Sequence, residues 1–246
     1  MIRLRADLHV HTVLSPCAEI EMIPPLIVQQ ALDLGIHLIA ITDHNATANI
    51  ASVQKAAEGT KLAVLPGMEL QTREDVHVLC LFDTLEQVNA WQGIVDATMP
   101  DVENDVDHFG EQFVVDETGD FVRREMRMLS TSSDLSMTEA FQAINKLGGW
   151  MVPAHVNRKT NGLLSILGFV PTDIAIDTLE ISLHLSKEEA YQKYPQIRKF
   201  PLIQDGDVHL LGDFGGTNEF IVESISVNEL RMAVHQQEGR KHRILG

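Results

Sequence analysis

The sequence predicts an α/β fold: one barrel-like domain over residues 1–246, with strands and helices alternating around a largely parallel sheet. Three observations carry this reading. Short aliphatic or β-branched runs recur along the chain, most of them separated by stretches of helical periodicity. A chain of 246 residues is the size an α/β barrel takes as a single unit, and no linker, repeat or low-complexity run divides it. Histidines and carboxylates cluster at the ends of the apolar runs, and in such barrels the carboxyl ends of the strands meet at one mouth.

The elements follow in order. Residues 3–10 (RLRADLHV) read as the first strand, and 24–35 (PPLIVQQALDLG) as a helix opened by prolines and closed by glycine. Strands are expected at 37–42, 62–66 and 76–82, with helices at 46–59 and 85–99. Residues 136–148 begin SMTEAF, where Ser136 and Glu139 have the spacing of a capping box. Strands at 150–154, 178–182 and 201–204 bring the expected number to seven, and a last helix at 226–238 carries the pair Ser226 and Glu229. Residues 100–133 fit least well. They are rich in Asp and Glu, weakly periodic and long for a barrel connection, so an irregular acidic insertion or lid is expected there. Within it, QFVVDETGDFVRREMRML reads as a hairpin turning around 117–120.

Composition narrows the function. Net charge is −16, from 35 acidic residues against 19 Lys and Arg, and so acidic a surface repels a long phosphate backbone. No run approaches the roughly 20 apolar residues that span a bilayer. The start MIRLRADLHVHT does not read as a secretory leader, and Cys17 and Cys80 are the only cysteines. A soluble, cytoplasmic protein without disulfides is the expectation, and neither a membrane nor a long nucleic acid is the expected partner.

The chemistry sits at the strand ends. His9 and His11 close the first strand, His44 follows the second, Glu69 the third, His77 lies in the fourth, His155 ends the fifth, and Asp207 and His209 follow the seventh. In an extended chain, positions i and i+2 share a face, so His9 with His11, and Asp207 with His209, can grip one ion. Imidazole and carboxylate suit Zn, Mn and Fe alike, and Glu69 has two oxygens with which to bridge two ions. A packed core would place Val, Ile or Leu at these positions. His108 in the acidic segment and His184 after the sixth strand are weaker ligand candidates, while His37, His235 and His242 read as structural or solvated.

DLHVHT, then TDHN, then a Gly-x-Glu, then a downstream AH and a final Asp-x-His together resemble the PHP (polymerase and histidinol phosphatase) superfamily. The resemblance implies a distorted (β/α)7 barrel with a metal site of two or three divalent ions at the carboxyl ends of the strands. It also implies that His9, His11, Glu69 and Asp207 hold one metal, that Glu69 bridges to a second held by His77 and His155, and that His44 and His209 hold a third. The family completes the third site with an Asp or His; here the stretch reads VLSPCAEIEM, which leaves Cys17, Glu19 and Glu21 as alternatives. Two further departures are Gly206 before Asp207, where the family often has Ser, and Val156 after His155, where it often has Pro.

The expected function is a metal-dependent phosphoesterase that hydrolyses a small phosphorylated metabolite or nucleotide with a metal-activated hydroxide. Arg158, three residues past His155, is the candidate phosphate clamp, with Lys159 beside it. Asp43, next to His44, is the candidate for orienting a ligand or protonating the leaving group. A non-catalytic metal-bound regulatory module and a nuclease acting on short oligonucleotides are the alternatives.

Overall fold

The computed structural model describes residues 1–245. The strands are β1 (Ile2–Val10), β2 (Leu38–Ile41), β3 (Ala63–Gln71), β4 (His77–Leu81), β5 (Phe113–Val115), β6 (Phe121–Arg124), β7 (Trp150–Pro153), β8 (Leu179–Ser182), β9 (Leu202–Asp205), β10 (Asn218–Val222) and β11 (Lys241–Ile244). The helices are α1 (Pro24–Asp33), α2 (Ile50–Ala56), α3 (Leu85–Asp96), α4 (Val106–Phe109), α5 (Met137–Lys146), α6 (Leu163–Ile166), α7 (Lys187–Lys193) and α8 (Val227–Val234).

A seven-stranded sheet runs β11-β10-β1-β2-β3-β4-β7, and β8-β9 form a separate parallel pair. That pair lies across the gap between β7 and β1. Val156 N donates to Glu180 O (2.9 Å), Val208 N to His9 O (2.9 Å) and His11 N to Val208 O (3.0 Å). The ring β1-β2-β3-β4-β7-β8-β9 therefore uses all seven strands expected from sequence. β10 and β11 were not anticipated and extend the sheet outward from β1 in antiparallel register.

The sheet is mixed rather than largely parallel. β4 runs antiparallel to both β3 and β7, because only the short turn Thr72–Val76 separates β3 from β4 and no helix intervenes. This reversal matters for the site: the amino end of β4, with His77 opposite Gln71, lies beside the carboxyl end of β3.

Side-chain alternation divides the ring into two levels. Leu65, Leu79, Leu81, Val152 and Ile203 pack together with Leu4, Ala6 and Leu8 as an apolar floor, covered by Leu230 and Ala233 of α8. Along the same faces, His77 lies two residues from Leu79, Asp205 two from Ile203 and Glu69 four from Leu65. In β1, Leu8 joins the floor while its neighbour His9 faces the upper level, and the β1-β2 register shifts between Asp7 and Val10. A bulge of this kind re-aims a side chain next to a functional site. The opposite faces of the strands, with Ile39, Ile41, Met68, Val78 and Cys80, pack outward on α1, α2, α3 and α5.

Local chemistry sets the helix ends. α5 opens on the expected capping box, Ser136 with Glu139. At α8 only half of it forms: Ser226 accepts from Glu229 N (3.2 Å), while the Glu229 carboxylate turns to Glu223 N and Arg240. The acidic stretch contains the expected hairpin, β5-β6, and is bonded to the rest of the molecule. Asn45 Nδ2 donates to Leu129 O (2.8 Å) and Thr131 O (2.9 Å), and Val114 and Leu129 pack on Leu14 and Ala46.

Candidate metal centre

At the upper level, strand ends bring six histidines and two carboxylates together. His9, His11, Glu69 and Asp207 present donor atoms within 4.8 Å of one another; so do His44, Glu69 and His77, and so do His11, His44 and His209. Glu69 is the hub and is wholly buried. Its Oε1 meets His77 Nδ1 (2.8 Å), His155 Nε2 (2.9 Å) and His9 Nε2 (3.3 Å), and its Oε2 meets His44 Nδ1 (3.0 Å) and His11 Nε2 (3.4 Å). Asp207 Oδ1 reaches His9 Nε2 (3.2 Å) and His11 Nε2 (3.4 Å). His155 and Asp207 turn into the site from backbone of positive φ, +26° and +50°, a conformation that non-glycine residues hold only when the surroundings enforce it.

Electrostatics follow from this packing. Burial raises the Glu69 carboxyl pKa, but the imidazoles of His77, His9 and His44 outweigh it and hold the group well below the usual carboxylate range. Burial likewise opposes ionisation of Asp207, and His9 and His11 again hold its pKa down. Burial disfavours the His9 cation, yet Glu180, Glu69 and Asp207 raise its pKa well above that of a free imidazole. His11 goes the other way, lowered well below by burial and by neighbouring His209.

A second ring of side chains fixes the tautomers. His9 Nδ1 faces Glu180 Oε1 (3.0 Å), and the same carboxylate accepts from His155 N (2.6 Å). Asp43 accepts from Thr12 N, Thr12 Oγ1 and Ser15 Oγ, each at 2.7 Å, so both of its oxygens are engaged away from the cleft. Because Ser15 donates to Asp43, its oxygen accepts from His44 N (3.1 Å) and from His11 Nδ1 (2.9 Å). In both His9 and His11 the Nδ1 proton is thereby held outward and the Nε2 lone pair faces the centre.

That arrangement fits a cation. His9 Nε2, His11 Nε2, Glu69 Oε2, Asp207 Oδ1 and His155 Nδ1 are buried without a hydrogen-bond partner. A buried polar atom left unpaired costs about 1–3 kcal/mol, so several on one site mark a place where an ion belongs. The donor set of imidazole and carboxylate suits Zn, Mn and Fe.

The other sequence candidates separate clearly. Arg158 stands at the mouth with Nη1 on Asp207 Oδ2, and both line a cleft of about 450 Å³ with His184, Glu180 and Asp213. Cys17 is exposed beside these histidines, and although desolvation opposes ionisation of its thiol, the neighbouring imidazoles of His209 and His44 draw the pKa down to about 6. Glu19 and Glu21 are exposed and pair with none of these histidines among the described residues. His108 is exposed on α4, outside every cluster. His242, expected to be solvated, is instead half-buried against Phe220 and bonded to Asn218 Oδ1 (2.9 Å).

Sequence reasoning passed over Glu180, Ser15 and Asp205. Glu180 and Asp205 had a signal: each is a carboxylate inside a run that otherwise reads as buried strand, TLEIS and LIQD. Asp205 Oδ1 accepts from Leu8 N (2.6 Å), and burial with neighbouring Asp7 raises its carboxyl pKa well above the usual range. Ser15 had none, because its role depends on a turn that folds back on Asp43.

Fold and site together define an α/β barrel whose mouth gathers histidines and carboxylates able to hold metal ions. The chain belongs to the PHP domain family, whose model matches residues 7–151. Among curated proteins it is similar to the 5'-3' exoribonuclease Rnm of Escherichia coli K12, 32% identical over 80 residues, which cover 30% of this chain and 26% of that one. Among solved structures it resembles the lesion-specific endonuclease PfuEndoQ of Pyrococcus furiosus, with TM-score 0.74 and 20% identity over 98% of this chain and 58% of that one. It also resembles a candidate metal-dependent phosphoesterase of Bifidobacterium adolescentis, with TM-score 0.58 and 20% identity over 94% of this chain and 96% of that one. The chain thus spans about a quarter of the exoribonuclease and a little over half of the endonuclease. The structural likenesses, at 20% identity, establish the fold.

Proposed function

We propose that the protein is a metal-dependent phosphoesterase, with His9, His11, Glu69 and Asp207 as ligands of one divalent ion and Glu69, His77 and His155 as ligands of a second. The observation that carries this reading is the set of buried donor atoms without hydrogen-bond partners that gather around Glu69 and Asp207, beside a cleft that holds a guanidinium. Bound divalent ions of this class supply a hydroxide at neutral pH and offset the charge on the phosphoryl oxygens.

The chain's own residues do the rest. Asp207 divides its carboxylate, Oδ1 toward His9 and His11 and Oδ2 to Arg158, and so fixes the guanidinium next to the centre. The remaining donors of Arg158 are free to bind two oxygens of a phosphoryl group in a forked geometry. Asp43 acts by orienting His11 through Ser15, since both its oxygens already accept hydrogen bonds. The apolar floor of Leu8, Leu79 and Ile203 closes the site from below, which keeps water out of the barrel interior.

The cleft volume of about 450 Å³ suits a nucleotide or a metabolite of that size. A second reading, cleavage at the end of a short oligonucleotide, is favoured by the similarity to a 5'-3' exoribonuclease. Net charge −16 argues against long strands under either reading. The test supplies Mn or Zn to the purified chain and measures phosphate release from a panel of phosphomonoesters, alongside mononucleotide release from short oligonucleotides. His155→Ala should abolish whichever activity is found. Arg158→Ala should raise KM about tenfold or more while metal content stays unchanged. Turnover of neither substrate class with metal bound would overturn the enzymatic reading and leave a regulatory module.

A further inference from the structure

One wall of the cleft beside the centre is built by a close backbone approach at Gly206. This glycine stands where the PHP family often has Ser, and the space around it admits no side chain. A Cβ there would lie 2.6 Å from Asp213 O, 2.6 Å from Val208 Cγ2 and 2.9 Å from Asp7 Oδ2. Residues 210–216 therefore pack their backbone directly on Gly206. Wholly buried Asp7 holds both sides of this contact: its Oδ1 accepts from Gly206 N (3.0 Å), and its Oδ2 from Gly215 N (2.9 Å) and Gly216 N (3.2 Å). Asp213 N donates to Leu210 O (2.9 Å), which closes the turn from within. The wall is thus fixed in advance, and it brings Asp213 and Phe214 to the cleft that Arg158 and Asp207 also line.

We infer that this wall selects phosphoesters whose leaving group carries a sugar-type hydroxyl, with Asp213 accepting a hydrogen bond from that hydroxyl and Ser182 donating one to it. The inference rests on the phosphoesterase reading and names its substrate class. Ser182 Oγ accepts from Asn157 Nδ2 (2.8 Å), while Asn157 Oδ1 accepts from Ser182 N (2.9 Å). This reciprocal pair leaves the Ser182 hydroxyl proton as a spare donor on the cleft. The half-buried Asp213 carboxylate has no ion pair or side-chain hydrogen bond among the described residues, and when ionised it only accepts. A hydroxyl donates and accepts at once, so it answers both groups; an ammonium only donates and leaves the Ser182 proton without a partner. Charge orients the ester in the same sense. Like charge keeps the phosphoryl group away from Asp213, and the free donors of Arg158 attract it. Leu183 and Phe214 line the same cleft and give the carbon face of a sugar ring an apolar contact. The ribose of a nucleotide and a free sugar phosphate share this chemistry.

Uncleavable phosphonate analogues make the test independent of turnover. A ribonucleoside 5'-phosphonate, its 2',3'-dideoxy form and ribose 5-phosphonate are titrated by calorimetry into the full chain loaded with Zn or Mn. The ribonucleoside compound should bind about tenfold or more tightly than its dideoxy form, because a site built to pair with a hydroxyl rejects a ligand that lacks it. Asp213→Ala should bring the two affinities within about twofold of each other. Asp213→Asn keeps a carbonyl acceptor and should retain a several-fold preference. Gly206→Ala pushes the wall off its seat and should lower the preference as Asp213→Ala does. Ribose 5-phosphonate bound as tightly as the ribonucleoside compound supports the hydroxyl contact with a free sugar phosphate as its source; weaker binding supports it with a nucleotide as its source. Equal affinities for the hydroxylated and dideoxy forms, or a preference that survives Asp213→Ala, overturns the role of Asp213 and leaves the phosphoesterase reading standing. Binding of no phosphonate overturns the hydroxyl contact, and phosphate release from the ester panel then decides the hydrolytic reading separately.

Discussion

Single side chains in this centre carry more than one duty, and Ser15 shows what that implies. Its hydroxyl donates to Asp43 and accepts from His44 N and His11 Nδ1, so one oxygen sets the tautomer of His11 and ties two strand ends together. Ser15→Ala should weaken divalent-metal affinity about 10–100-fold, the usual effect of losing the group that orients a metal-binding histidine. Titration calorimetry with Zn or Mn would read this directly, and an unchanged affinity would remove Ser15 from the site. The clustered histidines and carboxylates were legible in the sequence because histidine is conspicuous in an aliphatic strand and because strand ends converge. Ser15 was not, because the bond that makes it matter spans 28 residues and requires the folded turn. Cys17, Glu19 and Glu21 stayed as alternatives, because nothing in VLSPCAEIEM says which side chain the turn aims inward.

Individual elements were legible where the local chemistry was complete. All seven strands of the ring, the helix behind two prolines and the capping box of α5 follow from the residues they contain. β10 and β11 were missed because NEFIV and KHRI mix charge with apolar residues, and their pairing with β1 is decided by tertiary contact. The direction of β4 was missed for another reason: a hydrophobic run has no polarity, and only the shortness of the turn before it reveals the reversal. The acidic stretch shows how an irregular element is held by few residues. Wholly buried Asn49 donates to Thr12 Oγ1 (2.9 Å) and Phe113 O (3.0 Å) and accepts from Val115 N (3.0 Å), which stitches β5 to the barrel. Asn49→Ala removes three bonds at once, at roughly 1 kcal/mol each. Trypsin cleavage at the exposed Arg123 and Arg124 of the hairpin should then be faster by an order of magnitude or more under native conditions. Equal rates in the two proteins would show that the insertion is held mainly by its apolar contacts with Leu14 and Ala46.

For the whole molecule, the balance of buried ionisable groups makes stability a function of pH, and His242 provides a handle outside the metal centre. Its ring packs on Phe220 at 4.7 Å and bonds Asn218 Oδ1 through Nε2, so the neutral ring fits where the cation does not. Burial, with Lys187 nearby, pushes its pKa down from 6.5 to about 3. Below pH 6.5 the unfolded chain takes up a proton that the folded chain refuses, so the folded state loses ground as acid is added. The contribution is therefore fully present above that value, declines by at most about 1.4 kcal/mol per pH unit, and levels off near pH 3, where the folded ring is protonated as well. Glu69 adds a loss of the same sign at lower pH, because its folded-state pKa is held below that of the unfolded chain and its protonation in acid removes the attraction to its imidazoles. The two contributions separate by range: His242 acts first as the pH falls, before carboxylates of the unfolded chain begin to protonate. His242→Gln keeps a donor for Asn218 and cannot titrate. Denaturant unfolding between pH 7 and 5 should therefore show a shallower decline for the variant than for the parent chain. Parallel declines would mean that the His242 ring is hydrated enough in the folded protein to accept a proton, and that the acid sensitivity arises in the metal centre.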